Sequence, residues 1–230
     1  GITWPNITSG RFSAWLSPGG FVFDVSGSSA FLSDTPLVLG VLNSSFAAYA
    51  LKLINPTINF QVGDLARLPI PKDDSTLLHD LVEQAIDLAR ADSAEDETTY
   101  DFIAPPAWTT GRQDVAARAG RLAGVEREID EEVYRLYGIG AEDRAAIEAE
   151  LGDPRAVVDN DEAAEATTED AETAETSAAA EAAAGVGELS RQALAQRWVS
   201  YAVGIVLGRF QPGVEGCLLY TSPSPRDRQK

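Results

Sequence analysis

Residues 159–187 set the first limit on how this chain can fold. The run from Asp159 is built mostly from Ala, Glu, Asp and Thr, carries no Lys or Arg, and has almost no large apolar side chain. Ordering one backbone residue costs roughly 1–2 kcal/mol, and this composition buries too little apolar surface to offset that cost. An acidic disordered linker is expected here, with a fluctuating Ala-rich helix as the alternative. Any packed core must come from the residues before it and the short stretch after it.

Before the linker, the hydrophobic period changes near Pro69 and Pro71. Up to that point the pattern is mixed. Phe21, Phe23 and Val25 alternate with Val22 and Asp24 between Gly19-Gly20 and Gly27, which predicts a half-buried strand. Thr35 as an N-cap before Pro36, followed by Leu39, Leu42, Phe46, Tyr49, Ala50 and Leu53 at helical spacing, predicts one helix that Asn55-Pro56 ends. Ile58, Phe60 and Val62 then alternate with Thr57, Asn59 and Gln61. A strand here would bury the first set and offer the second to solvent or a ligand.

Beyond Pro71 the period becomes helical. Leu78, Val82, Ala85, Ile86 and Ala89 share one face, with Asp80, Glu83 and Asp87 opposite. A longer helix carries Val115, Ala119, Leu122, Ile129, Val133 and Leu136, with a gap at Glu126 and a stop at Gly138. Ala141–Leu151 forms a partner helix ended by Gly152 and Pro154. After the linker, Leu194, Trp198, Tyr201, Ile205 and Val206 predict a buried helical face within Leu189–Arg209. The fold class is α+β.

Composition excludes several chemistries. The one Cys, Cys217, opens a run (Cys-Leu-Leu-Tyr-Thr-Ser-Pro-Ser-Pro-Arg-Asp) that resembles a translated sequencing-library adaptor, and residues 217–230 are expected to be a non-native tail. Without it there is no cysteine metal site, and the lone His79, expected at the solvated surface, cannot build a histidine cluster. No Gly-rich phosphate loop follows a strand, and paired carboxylates such as Asp73-Asp74 and Glu131-Glu132 read as solvated helix ends and faces. The chain is expected to hold no catalytic, cofactor-binding or metal site. Its apolar runs are interrupted or too short for a bilayer, so no membrane role and a cytoplasmic location are expected. The net charge of −18, from 36 acidic and 18 basic residues, argues against nucleic acid at first sight. Its distribution weakens that objection. Residues 1–70 balance Asp24, Asp34 and Asp64 against Arg11, Lys52 and Arg67.

A specific set of segments carries a resemblance. Gly1-Ile-Thr-Trp-Pro, Ser9-Gly-Arg-Phe-Ser, Gly20-Phe-Val-Phe-Asp, Leu39-Gly-Val-Leu-Asn-Ser and above all Asn55-Pro-Thr-Ile-Asn-Phe-Gln-Val-Gly-Asp-Leu-Ala-Arg-Leu-Pro-Ile-Pro resemble the carboxy-terminal region of adenine-specific DNA methyltransferases of the PglX type, from BREX phage-defence systems. Tyr100-Asp-Phe, Tyr134-Arg-Leu-Tyr-Gly and Ser200-Tyr-Ala-Val-Gly-Ile-Val-Leu-Gly-Arg-Phe continue it. The stretch 159–187 departs from the family as an acidic insertion. Asn55-Pro56-Thr57-Ile58 begins like the Asn-Pro-Pro-Tyr motif that holds a flipped adenine, but lacks the second proline and the stacking aromatic, and reads as a helix terminator.

The expected organisation is a small target-recognition-like α+β unit at 1–71, a helical region at 72–158, the acidic linker at 159–187, a C-terminal helix within 188–216 and the non-native tail at 217–230. The resemblance implies transfer of a methyl group from S-adenosylmethionine to the exocyclic amine of adenine in duplex DNA, with other BREX proteins as partners. It further implies that this chain is a carboxy-terminal fragment, inactive alone, whose cofactor-binding core lies upstream. Recognition would fall to Asn59, Gln61 and Arg67 at base edges, with Arg11 and Lys52 on the phosphate backbone. The alternatives are a stand-alone DNA specificity subunit of a restriction-modification system and a non-enzymatic helical scaffold.

Overall fold

The computed structural model describes residues 1–8, 10–21, 27–72, 75–152 and 189–216. Most of the expected strand Phe21–Val25 lies outside them, as do Asp73-Asp74, the linker 159–187 and the tail from Cys217. The chain forms two compact units, one from Gly1–Val82 and Arg127–Gly187, the other from Glu83–Glu126 and Glu188–Lys230. Among the described residues no single helix is long and apolar enough to cross a membrane.

The first unit is α+β. Strand β1 (Ile2–Pro5) lies between β2 (Trp15–Leu16) and β3 (Gly27–Ala30), both antiparallel to it, with Ile2 opposite Leu16 and Ala30. Strand period sends Ile2 and Trp4 to one face, where both are fully buried, and leaves Thr3 and Pro5 half-buried on the other. β3 sits just after the strand expected from Phe21, and Phe21 itself is exposed.

Two helices occupy the span expected to hold one. α1 (Thr35–Leu42) and α2 (Ser45–Ile54) meet at 72°. The break is written by short polar side chains that compete for backbone bonds. Asn43 Nδ2 donates to the carbonyls of Leu39 and Ala14 (3.0 Å each), and its Oδ1 accepts from Ala14 N at 3.0 Å. Ser44 caps α2, accepting from Ala47 N at 3.1 Å while donating to Val41 O at 2.6 Å. The bend redirects the apolar face: Leu37, Leu39, Val41, Leu42, Ala47, Ala48 and Leu51 are buried, whereas Leu53 is 67% exposed. The cap of α1 is also not Thr35 but Asp34, whose Oδ1 accepts from Leu37 N at 3.0 Å. Asp34 thereby sits beside His79, which is half-buried rather than solvated, with Nε2 3.1 Å from that carboxylate.

The expected strand over 57–62 is reduced to one bridge between Ile7 and Asn59. Phe60 is buried as predicted, but Ile58 and Val62 are 58% and 56% exposed, because Val62 opens a short helix, α3 (Val62–Leu65). α4 (Thr76–Ser93), α5 (Gly111–Tyr137) and α6 (Ala141–Leu151) follow. Val125 fills the gap in the α5 stripe at Glu126. At the end of α5 the chain turns through Gly138 (φ +67°), with Gly138 N bonded to Arg135 O and Ile139 N to Tyr134 O.

In the second unit, α7 (Arg191–Val206) contributes to an aromatic cluster of Phe102, Tyr201 and Phe210, all buried, with ring centroids 5.0–5.6 Å apart. Trp198 packs at its edge and donates from Nε1 to Pro106 O at 2.9 Å. Val206, expected in the buried face, is 86% exposed. The chain reverses at Gly208 (φ +73°), and Arg209 N and Phe210 N both bond to Gly204 O. This fold-back lays the Phe210 ring against Gly204, where a Cβ would come within 2.4 Å of it. Gly204→Ala would gain about 1 kcal/mol of helix propensity, against about 1–3 kcal/mol for overpacking a rigid ring. Thermal unfolding of the variant should show a net destabilisation, with the near-ultraviolet circular dichroism of the aromatic cluster weakened.

Candidate nucleic-acid interface

The segment from Asn55 to Arg67 is an exposed loop held by an unusually complete set of internal bonds. Asn55 ends α2, and its side chain works in both directions. Its Nδ2 donates to Asn59 O at 2.7 Å and to Asp64 Oδ2 at 2.8 Å, and its Oδ1 accepts from Thr57 N and Thr57 Oγ1 at 3.1 and 2.7 Å. Asp64 Oδ2 also accepts from Gln61 N at 3.0 Å. The loop is stitched to the residues after β1 by Thr8 N to Ile58 O (3.0 Å), Phe60 N to Asn6 O (2.7 Å) and the buried Trp4 Nε1 to Phe60 O (3.2 Å). Phe60 is inside, edge-on to Phe12 with centroids 5.2 Å apart. Its neighbours Asn59 and Gln61 are therefore outside, flanked by exposed Ile7, Ile58 and Val62.

The bond from Asn55, then that from Gln61 N, and the charge of Arg67 hold the Asp64 carboxyl below the usual carboxylate range. Arg67 itself is exposed. The other two expected contacts lie elsewhere in the unit. Arg11 donates from Nη2 to Ser45 Oγ at 3.0 Å, at the α1–α2 corner. Lys52 Nζ pairs with Glu150 Oε1 at 2.8 Å, and that bond first, then the lysine charge, lowers the Glu150 pKa. Asn59, Gln61 and Arg67 thus share one loop, while Arg11 and Lys52 have protein partners.

One buried acid escaped sequence reasoning. Glu132, read with Glu131 as a solvated pair, is 6% exposed. Arg135 Nε and Nη2 grip its two oxygens at 2.7 Å each, and Ser75 Oγ donates to it. These donors, Arg135 foremost, pull its pKa below 4.5 against the cost of burial. The Glu–Arg spacing of three was visible, but the sequence held no sign that Ser75 would approach. Glu132 borders an open cleft of about 430 Å³ lined also by Leu77, Leu81, Glu128, Glu131, Ile139 and Arg144. Arg144 spans this region, pairing with Glu131 at 2.6 Å and lying 4.6 Å over the Tyr134 ring.

Among the described residues, no group of three or more His, Cys, Asp or Glu could hold a metal ion. The three strands form an antiparallel sheet, and among the described residues β3 enters α1 through Phe31, Leu32, Ser33 and Asp34, without a glycine at that junction.

No protein-family model matches this chain. It is similar to two adenine-specific methyltransferases: PglX of Lacticaseibacillus casei (strain Zhang), 32% identical over 157 residues and 60% of this chain, and BrxX of Escherichia coli O9:H4 (strain HS), 35% identical over 107 residues and 44% of this chain. The class these relatives define is the adenine-specific methyltransferases. Over these stretches this chain is similar to a part of PglX and of BrxX. The chain spans only 13% and 9% of the lengths of those relatives.

Because the Glu132 pKa is depressed in the folded state, its stabilising contribution is fully present above about pH 4.5 and is lost as pH falls through the lower folded value. Glu132→Gln should therefore lower stability at neutral pH and flatten the acid limb of the stability profile. Urea unfolding of both proteins at a series of pH values from 7 to 3 checks this.

Proposed function

We propose that this segment supplies DNA recognition and helical scaffolding to an S-adenosylmethionine-dependent adenine-N6 DNA methyltransferase of a BREX phage-defence system. Duplex DNA is the substrate, and other BREX proteins are partners. The observation that carries the reading is the loop 55–67, which leaves two amide side chains exposed on either side of a buried Phe60 and ends on an exposed Arg67. Asn and Gln side chains pair bidentately with adenine N6 and N7 in the major groove, and Arg with guanine O6 and N7. Identity of 32–35% to two adenine-specific methyltransferases supports the assignment. The methyl donor is bound by other parts of the full-length enzyme, and this segment alone is inactive.

Arg11 and Lys52 take the phosphate backbone in this reading. Each would exchange an internal partner for a phosphate. The exchange is inexpensive for Lys52, whose pair with Glu150 is about half exposed on both sides and, like most surface ion pairs, is worth no more than about 1 kcal/mol.

In the full-length enzyme, Asn59→Ala with Gln61→Ala should change the set of adenines methylated or abolish methylation, as read by sequencing modified host DNA. Unchanged methylation would remove the loop from the recognition surface. Lys52→Ala should weaken binding evenly across sequences and reduce the slope of log affinity against log salt by about one.

A further inference from the structure

Asn55 and Asp64 bracket the exposed loop, and neither spends its bonding capacity on solvent alone. Asn55 closes a turn onto Thr57 with its oxygen and ties Asn59 O to Asp64 with its nitrogen. Asp64 Oδ2 takes that amide at 2.8 Å and the Gln61 amide at 3.0 Å. The backbones of Thr57, Asn59 and Gln61 are thus all bonded to one of two side chains, each nine residues from the other in the chain. The bonds across to Asn6 and Thr8 fix Phe60 and Ile58. What remains unconstrained by these bonds is the set of outward side chains other than that of Gln61, which forms a capping box with Asp64 at the start of α3. A loop with no contact to make has little use for two braces around exposed Ile58, Asn59, Gln61 and Val62.

From this geometry we infer that Asn55 and Asp64 are positioning residues for DNA reading. They hold the backbone of residues 57–61 in one conformation, so that the Asn59 and Gln61 amides meet base edges already ordered. The inference rests on the recognition role proposed above. A flexible loop would lose roughly 1–2 kcal/mol of backbone entropy per residue on docking, whereas a braced loop has met that cost in folding. The brace acts on binding and discrimination and leaves the methyl-transfer step alone. Asn55 at this place is therefore more than the end of a helix. Its amide does a job that neither Asp, lacking the donor, nor Ala would perform.

The acceptor role of Asp64 separates positioning from mere folding. An Asn in its place keeps an oxygen with two lone pairs in the same position, whereas Ala removes it. In the full-length enzyme, Asn55→Ala and Asp64→Ala should each raise KM for a duplex carrying the preferred site by about tenfold and relax site choice, with kcat changed by less than about twofold. Asp64→Asn should restore both KM and site choice. Wild-type KM and site choice in Asn55→Ala and Asp64→Ala would overturn the inference, as would equal impairment of Asp64→Asn and Asp64→Ala. The Asn59→Ala, Gln61→Ala double variant serves as the control. If it alters methylation while the brace variants do not, only the positioning role falls. If it leaves methylation untouched, the recognition reading falls and this inference with it.

Discussion

The corner between α1 and α2 depends on a carboxylate from a distant part of the chain. Asp130, on α5, accepts from Ser45 N and Ser45 Oγ at 2.6 Å each, which places a negative charge on the unsatisfied amides at the start of α2. Arg11 bonds the same serine hydroxyl, and Asn43 ties the corner to Ala14. The loop after β1, both helices and the long helix therefore meet at three consecutive residues. Were α1 and α2 one straight helix, the chain at Asn55 would leave in another direction, and the loop that follows could not return to bond with Asn6 and Thr8.

Charge pairing shapes the surface of each unit as much as its geometry does. Several basic side chains in the described residues are paired with carboxylates of their own unit. Arg118 bonds Asp92 and Glu95, Arg135 grips Glu132, Arg144 meets Glu131, and Lys52 meets Glu150. Arg118 shows how firmly: burial alone would lower its pKa, yet the bond to Glu95 and the charges of Glu95 and Asp92 raise it. Cations held in such pairs contribute less to gathering DNA by charge, and the loop 55–67 presents exposed amide side chains instead.

Helices were legible from the sequence wherever a long apolar stripe met a clear stop. The α5 stripe, Gly138 after it and the α6 boundary at Gly152 follow from 3.6-residue periodicity and from glycine's tolerance of positive φ. Short apolar runs misled. Ile58, Phe60 and Val62 fit a strand, yet only Phe60 is buried, because Asp64 and Asn55 coil the backbone before a ladder can extend. The helix break at Asn43-Ser44 was written in side chains known to compete for backbone bonds, but periodicity carried across it. The outward placement of Asn59 and Gln61 was readable, since burying Phe60 dictates it, whereas their braces were not.

By itself, the sequence determined the α+β class, the helices after Pro71, the similarity to PglX and the three-residue alternation that turns Asn59 and Gln61 away from the core. These are properties of local periodicity, composition and ordered residue identity, and they need no knowledge of what packs on what. The tertiary structure alone decided the 72° corner, the burial of Glu132 against Ser75, the engagement of Arg11 and Lys52, and the pairing of Asn55 with Asp64. Each of these depends on a polar group finding a partner, often far along the chain. A hydrogen bond's partner is set by where two backbones come to lie, and no periodicity in the sequence records that.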